Sequence, residues 1–353
     1  MKSNQVLSFF LIAAIGGLSI AAQAQNEADL SAFLAASKQD ASNLISAYTA
    51  PAIKAISYGM TGGWYHTAKT HKKLGIDIGV TVNAVFTPSS DDYFQPYTFL
   101  SSSTQFANTS NPSSSNAPTI FGPKESTIYT ATYSPSTKIG PQSVTINGPE
   151  GLDLRKNLGV SVVPVPMAQI GIGLIKNTDL KIRFIPKVNG AQTSLSMLGF
   201  GLLHDIKQYF PGVKLVPFDL SVLAAYNSFK GVTNLTSSGD PLRPTSTDGK
   251  ATYTLNSWVA QVLISKKIAI LTLYAGVGYG SVSTKAKITG TYTITAVPAG
   301  SFNITDPVSF NLKNTSAKLT GGMRFNLGPL YFNGDYTVQK YSALSVGMGL
   351  TIR

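Results

Sequence analysis

From residue 74 onward the chain alternates between apolar and polar positions. In LGIDIGVTVNAVF, Leu74, Ile76, Ile78, Val80, Val82, Ala84 and Phe86 take one parity, and Gly75, Asp77, Gly79, Thr81 and Asn83 take the other. The C-terminal stretches repeat the pattern. KLTGGMRFNL sets Leu319, Met323, Phe325 and Leu327 against Lys318, Thr320, Arg324 and Asn326. LYFNGDYTVQ sets Leu330, Phe332, Tyr336 and Val338 against Asn333, Asp335, Thr337 and Gln339. ALSVGMGLTI sets Leu344, Val346, Met348, Leu350 and Ile352 against Ser345, Gly347, Gly349 and Thr351. A period of two is that of a strand with one apolar face. These runs exceed the roughly 5–6 residues usual in soluble strands and suit the roughly 9–11 that a tilted membrane strand needs. Length, more than alternation, predicts an all-β membrane protein: an antiparallel transmembrane β-barrel.

The connections test that reading independently. Strands are expected at 74–87, 159–175, 180–187, 193–203, 213–229, 251–265, 267–284, 315–327, 329–339 and 342–352. With the helical N-terminus starting in the periplasm, the segments 88–158, 188–192, 230–250, 285–314 and 340–341 fall outside. All the long Ser-, Thr- and Pro-rich connections are among them, which is the asymmetry of outer-membrane barrels. Further strand-like pieces (TIYTATY, QSVTING, TYTITAV, SFNITD) raise the expected total to about 12–14 strands, an even number.

The N-terminus has a different period. Residues 1–24 carry Lys2, an apolar run from Val6 to Ala22 and a small-residue Ala22-Gln23-Ala24 site, the pattern of a cleaved secretory signal. In EADLSAFLAASKQDASNLISAY, Leu30, Phe33, Leu34, Ala41, Leu44, Ile45 and Tyr48 recur at helical spacing. Pro51 is expected to open a second short helix, which GMTGGW then breaks. The expected organisation is a helical plug segment over 25–66 and a barrel over 67–353, with a large external loop at about 88–158. Leu30, Phe33, Leu34, Leu44 and Ile45 form the plug's apolar stripe.

Composition narrows the function. The chain has 353 residues, 28 Lys and Arg against 16 Asp and Glu, no cysteine, and only 12% charged residues, about half the usual share for a soluble protein. Disulfide and thiol chemistry are excluded, and no second long apolar run offers a helical span. The basic residues are dispersed, so nucleic acid is not a partner. No G-x-S-x-G elbow exists, and none of the three histidines falls in an outer loop, so the chain does not read as an enzyme. His204-Asp205 reads as part of an inner turn, HDIKQYFPG, because adjacent residues rarely face each other and no nucleophile is placed beside them. His66 and His71 lack further ligands and stand among lysines, so no metal site is assigned, and no cofactor is expected. Asp91-Asp92 could contribute to a calcium site in an external loop, but two acids alone do not assign one.

Charge on the lipid side would cost roughly 2–4 kcal/mol per Lys or Arg at mid-membrane. Asp77, Asn83, Lys181, Arg183, Lys318, Arg324, Asn333 and Asp335 are therefore assigned to the lumen, with Arg324 diagonal to Asp335 and close enough to pair. Aromatics near strand ends (Tyr93, Phe94, Tyr97, Phe99, Tyr331, Tyr341) read as an interfacial girdle. Alternate glycines in GIG (171–173), GFG (199–201), AGVGYGS (275–281) and GMG (347–349) would admit a plug, a neighbouring strand or a ligand.

The stretches GWYHTAKTHKKLGIDIGVTVNAVF, PVPMAQIGIGLIKNTDLKIRFIP and GLLHDIKQYFPGVKLVPFDLS resemble an uncharacterised family of outer-membrane β-barrel proteins from Bacteroidota. In overall plan the chain is more loosely similar to the long-chain fatty-acid transporter (FadL-like) superfamily. That similarity implies a barrel plugged by N-terminal helices that passes hydrophobic molecules. It departs from many such barrels in ending on Arg353 instead of an aromatic residue. The expected partners are outer-membrane lipid, small hydrophobic molecules and the outer-membrane assembly machinery. Transport is the expected function; a structural or assembly role beside surface or secretion machinery is the rival.

Overall fold

The period-two segments fold as strands whose apolar parity faces outward. The structure is a computed structural model describing residues 38–99, 105–108, 116–125, 127–133, 142–189, 193–213, 216–235, 246–296 and 300–352. Its barrel strands are β1 (Ile76–Thr87), β2 (Ser161–Gly173), β3 (Thr178–Asn189), β4 (Thr193–Asp205) and β5 (Asp219–Leu235), followed by β6 (Gly249–Ile268), β7 (Leu271–Thr289), β8 (Val308–Leu327), β9 (Leu330–Val338) and β10 (Ala343–Ile352). Each pairs antiparallel with its neighbours in sequence, and β10 returns to β1, with Ile352 opposite Ile76. Closure leaves no sheet edge, so every barrel strand has a partner on both sides.

The barrel has ten strands, not 12 to 14. The additional strand-like pieces pair outside it. Ile128–Tyr133 joins Gln105–Asn108 and Gln142–Asn147 in a separate sheet, and Thr291–Ala296 forms a hairpin with Gly300–Thr305. The two strands of that hairpin are six residues each, as are Ile128–Tyr133 and Gln142–Asn147, which is too short to cross a bilayer. Length is what excludes them.

Outward-facing Ile78, Val80, Phe200, Val262, Val277, Leu319, Val346 and Met348 are all exposed. An apolar surface running round the whole wall is unfavourable in water and favourable in lipid. One end of the barrel carries the short connections 174–177, 206–218, 269–270 and 328–329. The other carries 88–160, 190–192, 236–248, 290–307 and 339–342. Among the described residues no helix is long and apolar enough to cross a membrane.

Helix α1 (Lys38–Met60) lies inside the barrel as one element running through Pro51. The expected break at Pro51 does not occur. A proline in a helix interior costs about 3 kcal/mol, and here the surrounding wall buries the helix on several sides, with Leu44, Ile45, Tyr48, Ile53 and Tyr58 nearly inaccessible. Nor does the helix start at the short-connection end. Lys38 donates to the Thr305 carbonyl and Tyr48 to the Glu150 carbonyl, both in long connections. From Lys38 at the long-loop mouth the described chain therefore runs down the bore as helix and extended segment and turns back up as β1.

Reversing the lipid-facing chemistry is expected to be costly. Val262→Arg should lose about 2–4 kcal/mol of barrel stability, measured by urea titration in phospholipid vesicles. An unchanged midpoint would mean that β6 does not face lipid there.

Candidate functional site

A helix ends with carbonyls that have no partner inside it. The end of α1 is buried in mid-barrel and carries no basic residue in its last turn, so those carbonyls must be met from outside. The barrel wall meets them. Asn83 on β1 donates to the Gly59 carbonyl at 2.8 Å, and Asn227 on β5 donates to the Met60 carbonyl at 3.0 Å. Arg183 on β3 donates to Met60 O at 3.2 Å and to Gly62 O at 2.9 Å. Lys318 on β8 donates to the Thr61 hydroxyl at 2.7 Å, which itself donates to the Tyr58 carbonyl. Cations at a helix C-terminus also oppose its dipole.

Below the helix, residues 61–73 continue toward the short-connection end, held at nearly every step. The Trp64 ring lies 3.7 Å under the Arg183 guanidinium and is fully buried. Tyr65 meets Tyr274 edge to face and accepts from Gln261 at 3.2 Å. Arg324 donates to His66 Nδ1 at 2.7 Å. Because arginine can only donate, Nδ1 is the lone-pair nitrogen, and the His66 proton sits on Nε2, 3.4 Å from Asp77 Oδ1. Tyr331 closes this group, stacking on His66, lying 4.0 Å from the Arg324 guanidinium and donating to Asp77. Ser265 accepts from Ala68 N and Ser221 donates to Ala68 O. The Asp179 carboxylate accepts from the backbone N–H and Nδ1 of His71, at 2.9 and 2.8 Å.

All eight residues assigned to the lumen lie inside the barrel, none more than 7% exposed. Asn83, Arg183, Lys318 and Arg324 touch the N-terminal segment directly. Lys181 shares the inward face of β3 with Asp179 and Arg183, and Asn333 is opposite Arg324 in the ladder. Asp335 is diagonal to Arg324, as its register requires, but the two do not pair. Arg324 reaches inward to His66 and Thr351, and Asp335 accepts from Tyr274. Of the plug stripe, Leu44 and Ile45 are buried against Ala251, Ile288, Tyr292 and Val308, whereas Leu30, Phe33, Leu34 and the signal segment 1–24 lie outside the described residues.

Several expectations change. Tyr331 and Tyr341 are buried at 2% and 3% exposure, not in a girdle. Tyr331 shares the parity of Asn333 and Asp335, so it had to point inward. Asn227, Trp64, Tyr65, Asp179 and Tyr274 were not singled out from sequence. For Asn227 the signal was available, since it occupies the inward parity of β5. His204 contacts Thr178 and Tyr209, while Asp205 accepts from Lys207 N in the turn. They do not address each other. Asp91 and Asp92 are held by Lys54 and Arg155. The glycines of the wall explain how the segment fits: a Cβ at Gly201 would press on the Trp64 ring, and one at Gly276 would collide with the Tyr65 hydroxyl.

The model of a family of unknown function, DUF6588, matches residues 1–352, and the chain belongs to that family. No curated protein matches it. Solved structures similar to it include Ail, the attachment invasion locus protein of Yersinia pestis, at 8% identity and a TM-score of 0.25, covering 79% of this chain and 98% of that one. The translocator domain of the autotransporter NalP from Neisseria meningitidis is similar at 10% identity and 0.29, covering 80% and 90%. The CymD monoaromatic hydrocarbon channel is similar at 10% identity and 0.18, covering 79% and 88%. At such scores the barrel's own geometry carries the argument.

Two outcomes are expected. Trp64 and Trp258 are the only tryptophans, so a Trp258→Phe background reports on Trp64 alone. Adding Arg183→Met strips Gly62 O of its donor, at a cost of about 1–3 kcal/mol for a carbonyl left unpaired, and should red-shift Trp64 emission and open it to acrylamide quenching. Unchanged quenching would mean that Arg183 does not hold the segment. The rim offers a pH test. Burial alone would raise the Asp91 carboxyl, but bonds from Lys54 and Tyr341 outweigh it and hold the group below its ordinary value of 3.8. This tie between helix and rim is therefore complete above that value and is lost as pH falls below it. Thermal melts should show an acid loss that Asp91→Asn lacks.

Proposed function

We propose that this protein is an outer-membrane barrel for passive passage of small hydrophobic or amphipathic molecules, with its N-terminal segment as the gate. One observation carries the reading. An eight-stranded barrel is just filled by its own inward side chains, and a ten-stranded one leaves a wider bore. Here that bore is occupied by residues 38–73, around which wall residues such as Tyr331 and Asp77 also meet. Removing the segment would leave a path. Its upper half would be lined by Val85, Val163, Val165, Met167, Phe229 and Leu255, which now pack against α1 and would suit an apolar solute. The resemblance to the long-chain fatty-acid transporter superfamily points the same way. The mechanism is displacement: along its middle the helix packs by apolar contact, while its rim ties through Lys38, Tyr48 and Lys54 and the bonds of the segment below are polar links that water can replace singly.

The rival reading is a structural barrel that docks a partner. Its support is that the described parts of the loop between β1 and β2 form small sheets and that Arg155 there pairs with Asp92 at 2.7 Å.

Single-channel recording in planar bilayers separates them, comparing the chain from residue 25 with one lacking 25–73, after heat-modifiable migration shows both folded. The transport reading expects silence from the first and conductance from the second. A silent truncated barrel contradicts it.

A further inference from the structure

Strands β6, β7 and β8 have 20, 19 and 20 residues, about twice what a membrane crossing needs. The excess lies at the long-loop end, and its outward face follows from the register. Tyr226 stands opposite Trp258, whose ring is 5.8 Å from that of Tyr279, an aromatic group of the kind that marks a membrane interface. On the apolar side of this group the same face continues through Val262, Val277 and Leu319. On the other side it turns basic. Lys313, then Lys230 and Lys285, then Lys287 and finally Lys250 occupy successive rows, all exposed. The remaining positions of those rows are Ser, Thr and Asn, with one Val and no carboxylate. Among the described residues none of the five lysines forms an ion pair.

Like charges this close repel. Lys285 and Lys287 share one face of β7, Lys313 is diagonal to Lys285, and Lys230 is two strands away, about 10 Å at the usual strand spacing. Such a cluster does not stabilise the barrel by itself. It suits an anion with several charged groups at similar spacing, met where the barrel leaves the membrane. We propose that this patch binds the phosphate groups of outer-leaflet lipid headgroups, clamping lipid against β5–β8. The inference rests on the outer-membrane reading above, and it assigns a surface independent of the bore.

The test uses the full barrel in neutral detergent, with and without Lys230→Gln, Lys285→Gln, Lys287→Gln and Lys313→Gln together. Native mass spectrometry would follow retention of a bisphosphorylated glucosamine-disaccharide lipid, its dephosphorylated counterpart and inorganic phosphate. The patch predicts at least a tenfold loss of the phosphorylated lipid in the variant, and equally weak retention of the dephosphorylated lipid by both proteins. Equal retention of the phosphorylated lipid by both overturns it. Inorganic phosphate displacing the lipid at equal concentration overturns the headgroup as the ligand. Failure of the unaltered barrel to insert into phospholipid vesicles would instead overturn the membrane reading, and this inference with it.

Discussion

The packing of the N-terminal segment depends on what happens to the last carbonyls of a helix buried in mid-barrel. Out of water, a backbone carbonyl without a donor costs about 1–3 kcal/mol. Helix α1 ends at Met60 with no basic residue in its last turn, so Asn83, Arg183 and Asn227 supply the donors from three strands. The same requirement explains why inward charges persist in a wall that could have been apolar. Buried arginine is tolerated when its N–H groups find acceptors, and Arg183 places four of them, on Gln169, the Met60 carbonyl, the Met167 sulfur and the Gly62 carbonyl. Wall and segment are therefore complementary in backbone polarity as well as in shape.

Much of this was legible in the sequence. Strand parity alone placed Asp77, Asn83, Lys181, Arg183, Lys318, Arg324, Asn333 and Asp335 inside, because lipid forbids the alternative. The ten segments read as strands correspond to the ten of the barrel, with boundaries shifted by the long extensions of β5–β8. What parity cannot give is the reach of a side chain. Arg324 and Asp335 are diagonal neighbours by register, yet Arg324 turns to a histidine 258 positions away in sequence. Nor does local pattern show that a proline will be overruled: the helix crosses Pro51 because the barrel encloses it, a constraint that exists only after closure. The strand count failed for a related reason. Six-residue pieces rich in Thr and Tyr have strand propensity, but not the length to span.

Two chemistries divide the bore. Toward the long-loop end, α1 meets Val, Met, Leu and Phe side chains that make no directional demand. Toward the other end, Trp64, Tyr65, His66 and His71 are each fixed by a named partner. The segment is thus fixed by directional bonds below and by apolar packing above, with polar ties at the rim from Lys38, Tyr48 and Lys54.

The account's central claim is that the N-terminal segment occupies the bore of the inserted barrel. A Cβ on Gly280 would lie 3.5 Å from Thr61 Cβ, within the span a disulfide bridges, and the chain has no cysteine of its own. The most direct measurement is therefore oxidative cross-linking of Thr61→Cys with Gly280→Cys in intact outer membranes, read as a gel shift abolished by reductant. Near-complete cross-linking is the result expected of a filled bore. A pair that stays reduced in a folded, heat-modifiable barrel would contradict it.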